Sequence, residues 1–126
     1  MSAVIYNYKT FRGLKFPIVN LAIFYEEGWY PVGAYVDSGA TYSVFSAQVA
    51  DQMGHRKYVQ VGNGAFIPIY LHDLMIQVGK HRLTVPIGFS SKIGVSFNLL
   101  GRAGIFDFFK VCFHEQRFLI KFYPYS

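Results

Sequence analysis

The sequence is poor in the features that commit a chain to several common classes. Cysteine occurs once, at Cys112 between Val111 and Phe113, so no disulfide can form within the chain and the thiol reads as core packing. Charged residues are only 15% of the total against 52% hydrophobic, a balance that argues against disorder. Long apolar runs are missing too. Residues 16–25 contain Pro17 and Asn20 and fall well short of the roughly 20 residues of a spanning helix, so no membrane partner is expected. Residues 1–8 lack the charged start and apolar segment of a secretory signal, which makes the cytoplasm the expected location. Twelve Lys and Arg against seven Asp and Glu give a net charge of +5, but the basic residues are scattered singly. A nucleic-acid partner asks for a clustered stripe, so a solvated basic surface is the simpler reading. His55, His72, His81 and His114 show no metal-ligand spacing, and one cysteine does not complete a zinc set; no metal and no cofactor are expected.

What is present is a small, aromatic-rich β pattern. A length of 126 residues fits one domain, 1–126. Thirteen Phe and ten Tyr are more than a monomer of this size easily hides, which implies an exposed apolar groove, an oligomer interface, or both. Residues 17–25 and 29–36 read as a hairpin buried on both faces, turning at Glu26-Glu27-Gly28. Residues 46–53 are compatible with a short helix, with Ser46 as N-cap and Gly54 as the stop. Gly62-Asn63-Gly64 suits a tight hairpin tip between residues 58–61 and 65–71. Residues 74–78 and 82–89 bracket Gly79-Lys80-His81 as another hairpin, with Pro86 suggesting an edge position or a bulge. A strand over 97–100, a short helix over 103–109 and strands over 110–114 and 118–123 complete the pattern. The fold class is mainly β, a small closed or sandwiched barrel with one or two short helices.

The segment that carries chemistry is Tyr35-Val36-Asp37-Ser38-Gly39-Ala40-Thr41, in which a carboxylate follows an apolar strand and is followed by a small hydroxyl residue and glycine. Glycine permits a sharp turn and close approach to a substrate, and the Ser38 hydroxyl can hydrogen-bond a neighbouring carboxylate. Asp-Ser-Gly is also an ordinary turn sequence. A second segment, Phe97-Asn98-Leu99-Leu100-Gly101-Arg102, runs an apolar strand into glycine just before a helix-compatible stretch. Together and in this order, the two segments resemble the retropepsin-like aspartic peptidases, and the continuation Ala103-Gly104-Ile105-Phe106-Asp107 resembles their stand-alone microbial members. Thr41 departs from the retroviral pattern, where an aspartate at this position pairs with the arginine that Arg102 matches; Asp107, Asp51 and Glu115 are possible replacements.

The resemblance implies a retropepsin-like barrel and an aspartic endopeptidase whose catalytic residue is Asp37. Ser38, Gly39, Ala40 and Thr41 would support the catalytic loop. Asn98, Leu99, Leu100, Gly101 and Arg102 would form the second motif and pocket, and Gly62, Asn63 and Gly64 the flap tip. The chain holds one such aspartate and the family mechanism uses two, so the resemblance also implies a homodimer acting on an extended polypeptide. The N-terminal segment or the tail over 118–125 would supply interface strands. A noncatalytic peptide- or partner-binding protein of the same fold is the alternative reading, and a nucleic-acid-binding barrel is a further one.

Overall fold

The computed structural model describes residues 2–54, 71–91 and 97–125. The backbone forms a closed barrel, a three-stranded sheet and a two-stranded hairpin. In chain order the strands are β1 (Val4–Asn7), β2 (Lys9–Phe11), β3 (Leu14–Phe16), β4 (Ile18–Tyr25), β5 (Gly28–Val36) and β6 (Ser43–Ser46). They continue as β7 (Leu71–Val78), β8 (His81–Ser90), β9 (Asn98–Leu100), β10 (Phe109–His114) and β11 (Leu119–Pro124). Two short helices, α1 (Ala47–Met53) and α2 (Ile105–Phe108), and a 3-10 turn, Glu115–Arg117, complete the order.

The barrel closes in the order β4-β5-β9-β6-β8-β7. Strands β4 and β5 form the expected antiparallel hairpin, from Ile18↔Tyr35 to Tyr25↔Gly28. Its sides alternate, which corrects the expectation that both faces are buried. Val19, Leu21, Ile23, Val32, Ala34 and Val36 point into the core, whereas Asn20 is exposed and Ala22 and Phe24 are half-buried. The near-continuous apolar run misleads because aromatic residues cover the outer face without a second layer. Phe24 packs on Trp29 at 5.1 Å between ring centroids, and the Arg82 guanidinium lies over Trp29 at 4.9 Å, a cation–π arrangement.

Pro86 sits inside β8 without a bulge, because the β7–β8 register runs unbroken from Leu71↔Gly88 to Val78↔His81. The ladder from β6 begins only at Ser43↔Ile87. Pro86 is therefore locally at an edge on that side, where a missing N–H costs no ladder bond. The β7–β8 turn uses Gly79 at φ +61, a left-handed conformation favourable to glycine. Helix α1 ends as expected at Gly54, φ 79, but Ser46 makes no side-chain cap bond. Its backbone N–H is engaged by Asn98 Oδ1 instead, at 2.8 Å.

The sheet runs β1-β11-β10. Phe109, Ile120 and Phe122 from this sheet are fully buried with Ile105 of α2, while Phe45, Phe89, Ile76 and Ile87 fill the barrel. Each such side chain contributes about 1.5–3 kcal/mol through burial. Cys112 is not among them: it lies on the outward side of β10 and is exposed, which corrects the expectation of core packing drawn from its apolar neighbours. Strand β11, most of the expected interface tail, lies in the middle of the sheet. Both of its edges are paired within the chain, to β1 and to β10. The β2–β3 hairpin, turning at Arg12-Gly13, and strand β6 are absent from the sequence reading; each is three or four residues long, too short to show a period. The proposed flap tip Gly62-Asn63-Gly64, with His55, lies outside the described residues.

Candidate active site

Asp37 follows the last residue of β5 and is tied to β9 before the chain turns. Strand β9 runs parallel to β5, with Val36 opposite Leu100, and its other side meets β6 at Val44↔Leu99. The Asp37 N–H continues this ladder by donating to the Leu100 carbonyl at 2.9 Å. The two segments singled out in the sequence, 60 residues apart, are thus neighbouring strands.

The loop after Asp37 closes tightly. The Gly39 N–H donates to Asp37 Oδ1 at 2.8 Å, and the Ala40 N–H donates to the Asp37 carbonyl at 3.2 Å. One carboxylate oxygen is therefore held by the backbone of its own loop. The Asp37 side chain is half-buried, and Ser38 and Gly39 are exposed, so the acid faces outward on a fixed loop.

The second loop locks onto the first. The Arg102 N–H donates to the Ala40 carbonyl at 2.9 Å and the Ala103 N–H to the Thr41 carbonyl at 2.8 Å. Gly101 permits this approach, because a Cβ there would lie 2.4 Å from the Tyr42 carbonyl oxygen and 2.9 Å from that of Ala40. Its N–H donates to Ser43 Oγ at 3.0 Å, and the Ser43 side chain is fully buried. Ser43 escaped the sequence reading; a lone serine four residues after a glycine carries no signal until the two loops meet.

Arg102 keeps a partner despite the missing aspartate. Its Nη2 donates to Thr41 Oγ1 at 3.2 Å, so the departing residue itself takes the contact. The suggested replacements have other roles: Asp107 Oδ2 accepts from the Gly104 N–H at 3.0 Å, which closes the start of α2, and Glu115 Oε1 accepts from the Tyr8 hydroxyl at 3.0 Å. Asp51 lies on the exposed side of α1. Asn98 is structural: Nδ2 donates to the Gly33 carbonyl at 2.9 Å while Oδ1 holds Ser46, which ties β5 to the start of α1. Leu100 is fully buried beneath the loop, and Leu99 reaches the surface recess described next.

Two recesses flank Asp37. One, of about 350 Å³, is lined by Phe16, Tyr35, Asp37, Phe97 and Leu99. The aromatic rings brace one another: Tyr35 stacks on Phe97 at 5.7 Å, Phe16 meets Phe97 at 5.3 Å, and Phe11 of β2 supports Phe97 at 4.9 Å. The other, of about 270 Å³, is lined by Tyr8, Pro17, Tyr35, Val36, Asp37, Ser38, Phe113 and Glu115. Burial, and then the Glu115 carboxylate that accepts its hydrogen bond, push the Tyr8 phenol up to about 12. Of these lining residues, Tyr35, Val36, Asp37, Ser38, Phe97 and Leu99 belong to the two segments quoted from the sequence and Glu115 was a suggested partner of Arg102, whereas Tyr8, Phe16 and Phe113 were not assigned to the site.

The fold of this chain has counterparts among solved structures. A retropepsin-like aspartic protease from Rickettsia conorii superposes with a TM-score of 0.68 over 96% of this chain and 89% of its own, at 16% identity. The chain has the retropepsin-like fold. A second structure with the same fold is EIAV protease complexed with the inhibitor HBY-793, at a TM-score of 0.51 and 17% identity over 75% of this chain and 88% of its own. No protein family model and no curated protein sequence matches the chain. Among the described residues of this retropepsin-like barrel, no three His, Cys, Asp or Glu side chains gather to hold a metal, and no helix is long and apolar enough to cross a membrane.

Proposed function

We propose that the chain is an aspartic endopeptidase that works as a homodimer, hydrolysing peptide bonds through a water held between Asp37 of one copy and Asp37 of a second. The observation that carries this reading is the placement of Asp37: half-exposed, fixed by the Gly39 N–H and by the Leu100 carbonyl, and flanked by a recess on each side.

A single carboxylate can take a proton from water, but it cannot also polarise the carbonyl under attack. Two carboxylates about 3 Å apart do both, because mutual repulsion leaves one protonated. The ionised member removes a proton from the water as its oxygen attacks the scissile carbonyl carbon. The protonated member donates to the carbonyl oxygen, where negative charge develops. Collapse of the tetrahedral species then breaks the C–N bond, and a proton passes to the leaving nitrogen. Ser38, Gly39, Ala40 and Thr41 hold the acid in position, Gly101 and Arg102 lock that loop from below, and Leu99 forms part of the recess.

The substrate class follows from the recess beside the acid. Its Phe16, Tyr35, Phe97 and Leu99 walls suit a large apolar side chain next to the cleaved bond of an extended peptide. The test is Asp37→Asn, which keeps the shape and removes the base. Cleavage of a mixed peptide library should vanish while dimer mass and thermal midpoint stay unchanged. Undiminished cleavage by this variant would end the peptidase reading.

A further inference from the structure

Resting on the reading that an extended peptide is cut beside Asp37, we propose that Arg12 favours substrates with an acidic side chain two residues from the one that enters the aromatic recess. The β2–β3 hairpin forms a wall of that recess. Phe16 of β3 is among the lining residues and meets Tyr35 at 6.1 Å. Phe11 of β2 supports Phe97 at 4.9 Å, and the Arg12 guanidinium lies over the Phe11 ring at 5.2 Å. Arg12 thus stands one ring beyond a lining residue of the recess.

The hairpin is held so that this arginine keeps its place. Arg12 and Gly13 are the two residues between β2 and β3, and both have positive φ, 51 and 78. Two such residues in succession make the turn whose twist matches the strands it joins. Among the described residues β2 and β3 pair only with each other, so side chains fasten them to the rest of the chain. Lys9 donates to Asn20 Oδ1, Lys15 lies over the Phe118 ring at 5.4 Å, and Phe16 packs on Phe97 at 5.3 Å.

Charge decides what such a rim attracts. Residues 9–16 carry three cations and no acid. Lys9 and Lys15 are engaged by the fold, whereas Arg12 is exposed and makes no ion pair among the described residues. All seven acidic side chains of the chain lie within those residues, so none of them is its partner. Contact with a ring still leaves the N–H donors of a guanidinium for a carboxylate, which it binds with two parallel hydrogen bonds. Along an extended peptide, side chains on one side recur every second residue, about 6.5 Å apart. With a large apolar side chain seated between Phe16, Tyr35 and Phe97, the next on that side, leading away from Asp37, comes to the hairpin and to Arg12.

The experiment uses the full chain and three peptides that differ at one position: Phe beside the scissile bond, and Glu, Gln or Lys two residues from it on the side away from that bond. The Glu peptide should be cleaved with kcat/KM about three- to fivefold above the Gln peptide, the size of a solvent-exposed ion pair, and the Lys peptide should come last. Added salt should shrink the difference. Arg12→Gln should remove the Glu–Gln difference, Arg12→Glu should place the Lys peptide first, and Lys15→Gln should keep the natural order. Each comparison is a ratio within one preparation, so a variant that folds only in part still reports it. Fluorescein-labelled forms of the same peptides, bound to Asp37→Asn and followed by anisotropy, should give the same order of dissociation constants without cleavage. Equal values for the Glu and Gln peptides in both assays, or an order that Arg12→Glu leaves unchanged, overturn the role of Arg12 while cleavage by the natural chain keeps the peptidase reading standing. Tighter binding of the Glu peptide by a chain that cleaves none of the three supports Arg12 and counts against the peptidase reading.

Discussion

Replacing Ser43 with alanine tests whether the two motif loops are held together by one buried hydrogen bond. The Ser43 side chain is fully buried, and its Oγ accepts from the Gly101 N–H at 3.0 Å. Gly101 is itself buried, so alanine would leave its N–H without an acceptor and out of reach of water. An orphaned buried donor costs about 1–3 kcal/mol. The volume removed is a single oxygen, so no large cavity adds to this. For a domain of this length each kcal/mol lowers the thermal midpoint by about 4 °C, between the values for smaller and larger domains. The expected loss is therefore about 4–12 °C. Urea unfolding followed by circular dichroism should show a lower midpoint with an unchanged slope, the mark of altered stability without altered exposure. Ser91→Ala, at an exposed position, is the control and should stay within about 0.5 kcal/mol of the natural chain. If Ser43→Ala matches that control, the loops are held by something else and the reasoning fails.

Other consequences follow from the same geometry. Gly101→Ala forces a Cβ to 2.4 Å from the Tyr42 carbonyl oxygen; backbone cannot yield as a side chain can, so destabilisation should exceed the roughly 1–3 kcal/mol of ordinary overpacking, measured by urea midpoint. Asn98→Ala removes both the bond to Gly33 and the bond to Ser46 and should cost about 1–3 kcal/mol; an unchanged midpoint would show that neither bond matters. The Tyr8 phenol sits at about 12 in the folded chain against an ordinary 10. Above pH 10 the unfolded chain releases this proton and the folded chain keeps it, so the contribution is intact below 10 and lost as pH rises to 12. Tyr8→Phe should flatten the fall in stability across that window in thermal unfolding series, and an equally steep fall would count against the Tyr8 assignment.

Several elements were legible because a local rule was sufficient. The β4–β5 hairpin follows from two apolar runs around a turn, and the end of α1 from Gly54 in a left-handed conformation. Strands β10 and β11 were read within a residue of their ends, since alternation with β-formers needs no distant partner. The order of the two glycine-bearing segments carried the fold, because strand-end carboxylate and strand-end glycine are each visible in their own neighbourhood.

What sequence by itself determined is the mainly β character and the presence of a strand-end aspartate and a strand-end glycine in two ordered segments, because these rest on the preferences of adjacent residues. Only tertiary structure decided that β9 lies between β5 and β6, that Thr41 holds Arg102, and that Ser43 receives the Gly101 N–H. Those contacts join residues about 60 positions apart, and no local preference encodes which distant groups will meet. It likewise decided that β11 is central while β1 and β10 flank it among the described residues, since whether a strand has a free side depends on its neighbours and not on its own residues.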